Sequence, residues 1–283
     1  MEWPTLSSTN EVLSGGFAME QSQPWSRDYV RVVSWNIERG LQFPAILDFL
    51  KSVEADLILL QEVDLNVRRT QYRDVASELA QSLHLNYVFG KEFQELSLAS
   101  HSSPAQHGLA TLSPWPLSGR RIIRFKRQSN FWKPRWYVPQ IELFQRRLGG
   151  RIALVAEAHI YNQRIVTYNL HLESKGNDAL RLAQVRETLD DAEIYRASSL
   201  VVMGGDFNMN AGKGDAAVTL HSARFHDAVQ LPSHPTTAAR LPLQPARCID
   251  WIYISGEIRS RGRVHDSIQA SDHYPVSVKL AIP

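Results

Sequence analysis

Polar residues recur where runs of apolar residues stop: Asn36, Glu62, Asn169, His171, Asp206, Asn208, Asp250, Asp272 and His273. The clearest case is Leu200-Val201-Val202-Met203-Gly204-Gly205-Asp206-Phe207-Asn208. Its apolar residues read as a buried strand, and its glycines mark a place where backbone must approach something closely. Asp206 and Asn208 then project from a rigid strand end, an acid and an amide suited to a water and a phosphate oxygen. Singly, each residue has a structural reading. Asn36 can cap a turn, Glu62 can pair with an arginine, His171 can be a satisfied core histidine, and Asp250 can bridge to Arg247. Repeated from strand to strand, the pattern builds a polar cluster on one sheet edge, where layered α/β folds bind ligands.

The residue types select the chemistry. Carboxylates and amides without a cysteine ligand suit a hard cation that prefers oxygen, Mg²⁺ or Mn²⁺. Histidines beside carboxylates can donate to a phosphate or move a proton, a carboxylate fixing the tautomer. The chain lacks the glycine-rich loop ending in Lys-Ser/Thr that cradles nucleotides, and it lacks a Gly-x-Ser-x-Gly nucleophile elbow. Metal-assisted attack of water on a phosphate ester is the coherent reading.

The elements that must position these groups alternate between strand and helix. Val30 to Asn36 and Asp56 to Glu62 read as strands ending in polar residues, joined by a helix with Pro44 in its first turn and running through Lys51. A helix over Tyr72–His84 and a strand at Tyr87–Phe89 follow, then a strand at His107–Ser113. Arg151–Ala158 and Arg164–Leu172 form a hairpin, in which Asn169 and His171 share a face because strand side chains repeat every two residues. Asp178–Tyr195 is helical. Strands at 200–206, 249–254 and 276–280 complete the series, with a long loop region before the second of them. Residues 1–28 lack periodicity and read as a loose tail, leaving 29–283 as one layered α/β domain.

Composition narrows the classes. The 283 residues are 43% hydrophobic and 21% charged, with net charge +2, ordinary for a globular chain and ample for a core. The one cysteine, Cys248, allows no intrachain disulfide and no cysteine-rich metal site. No apolar run of about 18 residues and no secretory leader is present, so a cytoplasmic monomer is expected. Between Arg120 and Tyr137, basic residues alternate with Phe125, Phe131, Trp132, Trp136 and Tyr137. That mixture suits a single-stranded nucleic acid, and equally a twisted strand pair with snorkelling arginines.

Seven short segments taken together resemble the motif series of the endonuclease/exonuclease/phosphatase (deoxyribonuclease I-like) superfamily. They are Ser34-Trp35-Asn36, Gln61-Glu62, His107 to Ser113, Asn169-Leu170-His171-Leu172, Gly205-Asp206-Phe207-Asn208, Ile249-Asp250 and Ser271-Asp272-His273. The resemblance implies a four-layer αββα sandwich of two packed, mostly antiparallel sheets flanked by helices. It implies Glu62 as the main ligand of a divalent cation, with Asn36 beside it and Asp272 on the metal side. Asp206 would orient or activate the attacking water, Asn208 would hold a phosphate oxygen, and His171 would contact the phosphate. Asp250 would orient His273, which is either the general base or a phosphate clamp. Arg135, Trp132, Trp136 and Asn169 form the substrate-side set, although Asn169, like His107, is read first as a structural neighbour of the site.

His171-Leu172-Glu173-Ser174 resembles the 5′-tyrosyl-DNA phosphodiesterase branch rather than apurinic-site nucleases, which carry tyrosine in place of this histidine. The expected function is therefore a Mg²⁺-dependent phosphodiesterase or nuclease acting on DNA or another nucleic acid. The alternatives are the same chemistry on a phospholipid, as in the sphingomyelinase-like branch, or on a soluble phosphomonoester, and a non-catalytic binding module on the same scaffold.

Overall fold

The computed structural model describes residues 12–18, 27–96, 104–133, 147–231, 233–239 and 245–281. The first part of the chain forms β1 (Val12–Gly16), β2 (Tyr29–Arg39), α1 (Phe43–Val53), β3 (Leu57–Leu65), α2 (Val75–Leu83), β4 (Asn86–Glu95) and β5 (Ala105–Ser113). The middle forms β6 (Leu117–Arg124), β7 (Arg147–Gly149), β8 (Ile152–Ile160), β9 (Gln163–His171), α3 (Asp178–Ala192) and β10 (Leu200–Asp206). The last part forms α4 (Gly214–Ser222), β11 (Phe225–Asp227), β12 (Asp250–Ser255), β13 (Ser260–Val264) and β14 (Val276–Ala281).

The strands make two mixed sheets. One runs β1-β4-β5-β3-β2-β14-β13, with β7 also on β4; the other runs β11-β12-β10-β9-β8-β6. Each holds one parallel pair, β2 with β3 and β9 with β10. A parallel pair needs a crossover, supplied by α1 in the first case and α3 in the second. Both crossover helices start from local signals. Pro44 lies in the first turn of α1, and the Asn177 side chain accepts the Leu180 amide at the head of α3.

Side-chain alternation builds the layers. Val30, Val32, Leu57 and Leu59 of the first sheet meet Leu154, Ala156, Val202 and Ile252 of the second between the sheets. Val33, Trp35, Ile58 and Leu60 point the other way, onto Ile46 and Leu50 of α1 and Leu79 of α2. On the far side, Tyr168, Val201 and Met203 pack under Val185 and Leu189 of α3 and Leu220 of α4. Helices, sheet, sheet and helices therefore stack in four layers, as the motif series implied. Strands buried on both faces are continuously apolar, which is why the polar residues at their ends stand out.

The loose-tail reading of residues 1–28 is corrected at Val12–Gly16, which pair antiparallel with Gly90–Asn86 as an edge strand. Ladder hydrogen bonds hold this segment while Leu13 stays exposed, so it carries no buried hydrophobic pattern to read. Among the described residues, no helix is long and apolar enough to cross a membrane.

Candidate active site

The two parallel pairs point their C-terminal ends at one another across the sandwich. β2 and β3 bring Asn36 and Glu62; β9 and β10 bring His171 and Asp206. The β2–β3 register shifts just past Asn36 and Gln61, where Glu38, Arg39 and Glu62 all take positive φ, 46°, 69° and 53°. Left-handed backbone at non-glycine residues is uncommon, and here it opens the ladder beside the polar cluster. Gly205, φ 152°, serves the opposite strand pair. A Cβ there would lie 1.9 Å from the Leu170 carbonyl oxygen, so only glycine lets β10 run against β9 up to Asp206.

Three donors converge on one carboxylate oxygen. Oδ2 of Asp206 lies 3.3 Å from Nδ2 of Asn36, 3.5 Å from Nε2 of His171 and 3.8 Å from Nε2 of His273. The other oxygen, Oδ1, accepts the Asn208 backbone N–H at 2.8 Å. Asn208, itself left-handed at φ 51°, donates its amide to the Leu172 carbonyl at 3.1 Å, and Arg247 donates to its carbonyl oxygen at 2.9 Å. A set of neutral and cationic donors around a single point, drawn from both sheets, is what a phosphoryl group requires.

His273 is held from behind. Nδ1 contacts Oδ1 and Oδ2 of Asp250 at 3.0 and 2.9 Å, and Thr236 donates to the same carboxylate at 2.6 Å. The Trp35 indole donates to the His273 carbonyl at 2.8 Å, and Ser271 Oγ accepts the His273 amide at 3.2 Å. Burial alone would lower the imidazole pKa, but the Asp250 and Asp206 carboxylates and the Asp250 hydrogen bond push it up to about 10. His273 is thus an imidazolium at neutral pH, with Nε2–H aimed into the site. Asp272 stands next to it, half-buried, taking a 3.4 Å contact from the Ser271 hydroxyl and adding to the same field. Arg247, one possible partner of Asp250, goes to Asn208 instead.

Glu62 is the least saturated acid of the cluster. Arg39 approaches it at 3.5 Å, and its side chain keeps 18% of its surface exposed. Burial pushes its carboxyl up, yet His107, Arg39 and Arg151 outweigh that and hold it well below the usual carboxylate range. An ionised carboxylate with free lone pairs beside an amide oxygen is a hard-donor set, and Glu62 with Asn36 fits a divalent cation on that chemistry. Asp206, Asp250 and His273 also offer ligand atoms within 4.8 Å of one another. In that trio the Asp250 oxygens and His273 Nδ1 are already spent on each other, which makes it a hydrogen-bonded relay first.

Other expected residues have different places. Asn169 is corrected as a substrate contact. It is fully buried, donates to the carbonyls of Leu60 and Ala110 at 3.1 and 2.9 Å, and accepts from Gln61 at 2.8 Å. Its amide ties the second sheet to the first, with both amide hydrogens committed to backbone carbonyls. The Trp132 indole N–H goes to Glu173 at 3.0 Å, and its ring packs on Phe93 with centroids 5.0 Å apart. Arg135 and Trp136 lie outside the described residues. Of the arginines in that stretch, Arg121 pairs with Asp191 and Arg124 reaches backbone carbonyls of Gly150 and Lys91, the snorkelling arrangement.

The reading from sequence missed the layer behind His171 and Glu62. Buried Arg151 and Glu92 form an ion pair against His171, and the flanking cationic groups hold the Glu92 carboxyl down at about 2 against its burial. His107 contacts Asp64 at 2.8 Å, and Arg69 binds the same carboxylate at 2.7 Å. These residues lie inside strands or loops rather than at the ends of apolar runs, so spacing gave no signal; only His107 stood inside a motif.

The Endonuclease/Exonuclease/phosphatase family model matches residues 33–273. An endonuclease/exonuclease/phosphatase from Beutenbergia cavernae superposes with TM-score 0.66 at 19% identity, covering 90% of this chain and 72% of that one. TDP2 from C. elegans gives 0.64 at 20%, covering 90% and 75%. A family protein from Bacteroides thetaiotaomicron gives 0.65 at 15%, covering 90% and 98%. No curated protein matches the chain in sequence.

Proposed function

The chain belongs to the endonuclease/exonuclease/phosphatase family, and from that premise we propose that it is a Mg²⁺-dependent phosphodiesterase whose substrate is a nucleic acid. The observation that carries the reading is the convergence of Asn36, His171 and His273 on Asp206 Oδ2, with ionised Glu62 beside them. Glu62 and Asn36, with Asp272, would hold a divalent cation, which would supply Lewis-acid neutralisation of phosphoryl charge. The chain's own residues do the rest. His171 and His273 donate through Nε2 to the non-bridging oxygens, and Asn208 steadies the turn that follows Asp206 at the end of β10. Asp206 accepts a hydrogen bond from the attacking water, orients it towards phosphorus and takes up its proton as the new P–O bond forms. The bond to the leaving oxygen then breaks, that oxygen keeps the electron pair, and it takes a proton from solvent. With Asp250 keeping His273 protonated, His273 acts as the clamp and Asp206 as the base. A substrate of TDP2 type is consistent with the His-Leu-Glu-Ser segment and with a structural relative of that name.

The test is hydrolysis of a panel with Mg²⁺, Mn²⁺ or EDTA: plasmid DNA, single-stranded DNA, an abasic duplex, a 5′-phosphotyrosyl oligonucleotide, sphingomyelin and an inositol phosphate. EDTA-sensitive cleavage of a nucleic-acid substrate, lost in Asp206→Asn, is expected. Cleavage confined to sphingomyelin or the inositol phosphate would overturn the substrate class. Failure to bind metal or to cleave anything would overturn the enzyme reading.

A further inference from the structure

Arg151 stands immediately ahead of β8 and is fully enclosed by the site's back wall. Nη1 lies 2.8 Å from Nδ1 of His171 and 3.1 and 3.2 Å from the two oxygens of Glu92. Nη2 donates to Ser174 Oγ at 3.2 Å, and the guanidinium rests 5.2 Å from the centre of the Phe93 ring. A guanidinium has only donors and keeps its proton in proteins. The Nη1–Nδ1 contact is therefore a hydrogen bond only when Nδ1 accepts, and the ring's proton must then sit on Nε2. That is the atom facing Asp206 at 3.5 Å.

The comparison inside the same site is instructive. His273 and His171 both aim Nε2 at Asp206 Oδ2, yet their backs differ. A carboxylate stands behind Nδ1 of His273 and accepts its hydrogen bond; a guanidinium stands behind Nδ1 of His171 and leaves that nitrogen the acceptor's part. Glu92 is also near that nitrogen, at 3.6 Å, but Arg151 is closer, and a protonated Nδ1 would set two donors head-on. The other groups facing His171 are Glu62 from β3, Ser174 beyond β9 and Asp206 from β10 with His273 behind it.

We propose that Arg151 is a positioning residue that locks His171 in its neutral Nε2–H tautomer. His171 then serves the site as a fixed donor to a phosphoryl oxygen and transfers no proton, while Glu92 anchors the guanidinium. The role in catalysis rests on the phosphodiesterase reading; the tautomer does not, so the two can fail separately.

The test is ¹⁵N NMR of histidine-labelled full-length protein, with His171 assigned by the signals missing in His171→Gln. The wild type should show an unprotonated Nδ1 and a protonated Nε2 at neutral pH. Arg151→Met alone would strand the Glu92 charge, so it is combined with Glu92→Gln; in that double variant Nδ1 has lost its donor, and the His171 signals should show a mixture of the two neutral tautomers. Arg151→Lys, which keeps charge and a donor, should retain the wild-type tautomer and covers the case in which the double variant does not fold. A wild-type His171 protonated on both nitrogens, or on Nδ1 alone, would overturn the proposal.

Discussion

At the level of single residues, the site is a contest between donors for one oxygen. Asp206→Asn keeps an acceptor for the Asn208 amide but can turn an NH₂ towards Asn36, His171 and His273, each of which also presents a donor. We expect kcat to fall by at least ~10²-fold while the thermal midpoint stays close to that of the wild type. Unchanged turnover in a folded Asp206→Asn protein would refute the role given to this carboxylate. Glu62→Gln removes the acid with the fewest partners among the described residues of the cluster, so half-saturation by Mg²⁺ should require about tenfold more metal, as expected when a charged ligand leaves a hard-cation site. Titration of turnover against Mg²⁺ measures it. Most first contacts of the site could be read from the sequence because each is the polar terminus of an apolar run. Arg151, Glu92, Thr236 and Trp35 could not, since their partners lie 20, 79, 14 and 238 positions away and no local pattern encodes the meeting.

Among the elements, the strand ends matter more than the strand bodies. Asn169 shows how the two sheets are kept in register: removing its side chain leaves two buried carbonyls and the Gln61 amide short of partners. Asn169→Ala should therefore lose about 2–4 kcal/mol of stability with KM unchanged in the protein that remains folded. Denaturant melts run beside steady-state kinetics separate the two effects, and a raised KM at unchanged stability would return Asn169 to the substrate. Gly205 tests the other strand pair. Gly205→Ala forces a Cβ onto the Leu170 carbonyl at a backbone angle that alanine avoids, and a loss of at least ~2 kcal/mol is expected, together with lost turnover as Asp206 is displaced. The βαβ halves were legible because buried parallel strands are apolar throughout and their helices carry Pro44 and Asn177 as start signals. β1 and β13 were not. Edge strands such as Val12–Gly16 and Ser260–Val264, the latter bearing exposed Arg261 and Arg263, are held by ladder bonds on one side and bury too little to show alternation. α4 is masked in sequence by Gly214 and the polar residues around it, and its identity comes from Leu220 packing under the second sheet.

For the whole molecule, the same buried charges that arm the site make its stability depend on pH in a particular direction. His273 has a folded pKa raised to about 10, above the ordinary histidine value of about 6.5. Its contribution is complete below about 6.5 and is lost as pH climbs towards 10, because the unfolded chain releases the proton first. Glu62 and Glu92 are shifted the other way: their contribution is complete above about pH 4.5 and is lost as pH falls towards and below 2. The two windows overlap between about 4.5 and 6.5, where these three groups together contribute most to the stability of the metal-free protein. Above that range, stability should decline with a slope no steeper than one proton, about 1.4 kcal/mol per pH unit. Urea midpoints measured in EDTA from pH 5 to 9 test this. His273→Gln should flatten the alkaline limb while lowering stability at pH 6, since Asp250 then keeps only Thr236 as its side-chain partner. Divalent cation should raise the whole curve, by RT ln(1 + [L]/Kd) at fixed free metal. A stability maximum above pH 8 in EDTA, or an alkaline limb that persists in His273→Gln, would show that the imidazolium–carboxylate pair is not what sets the response.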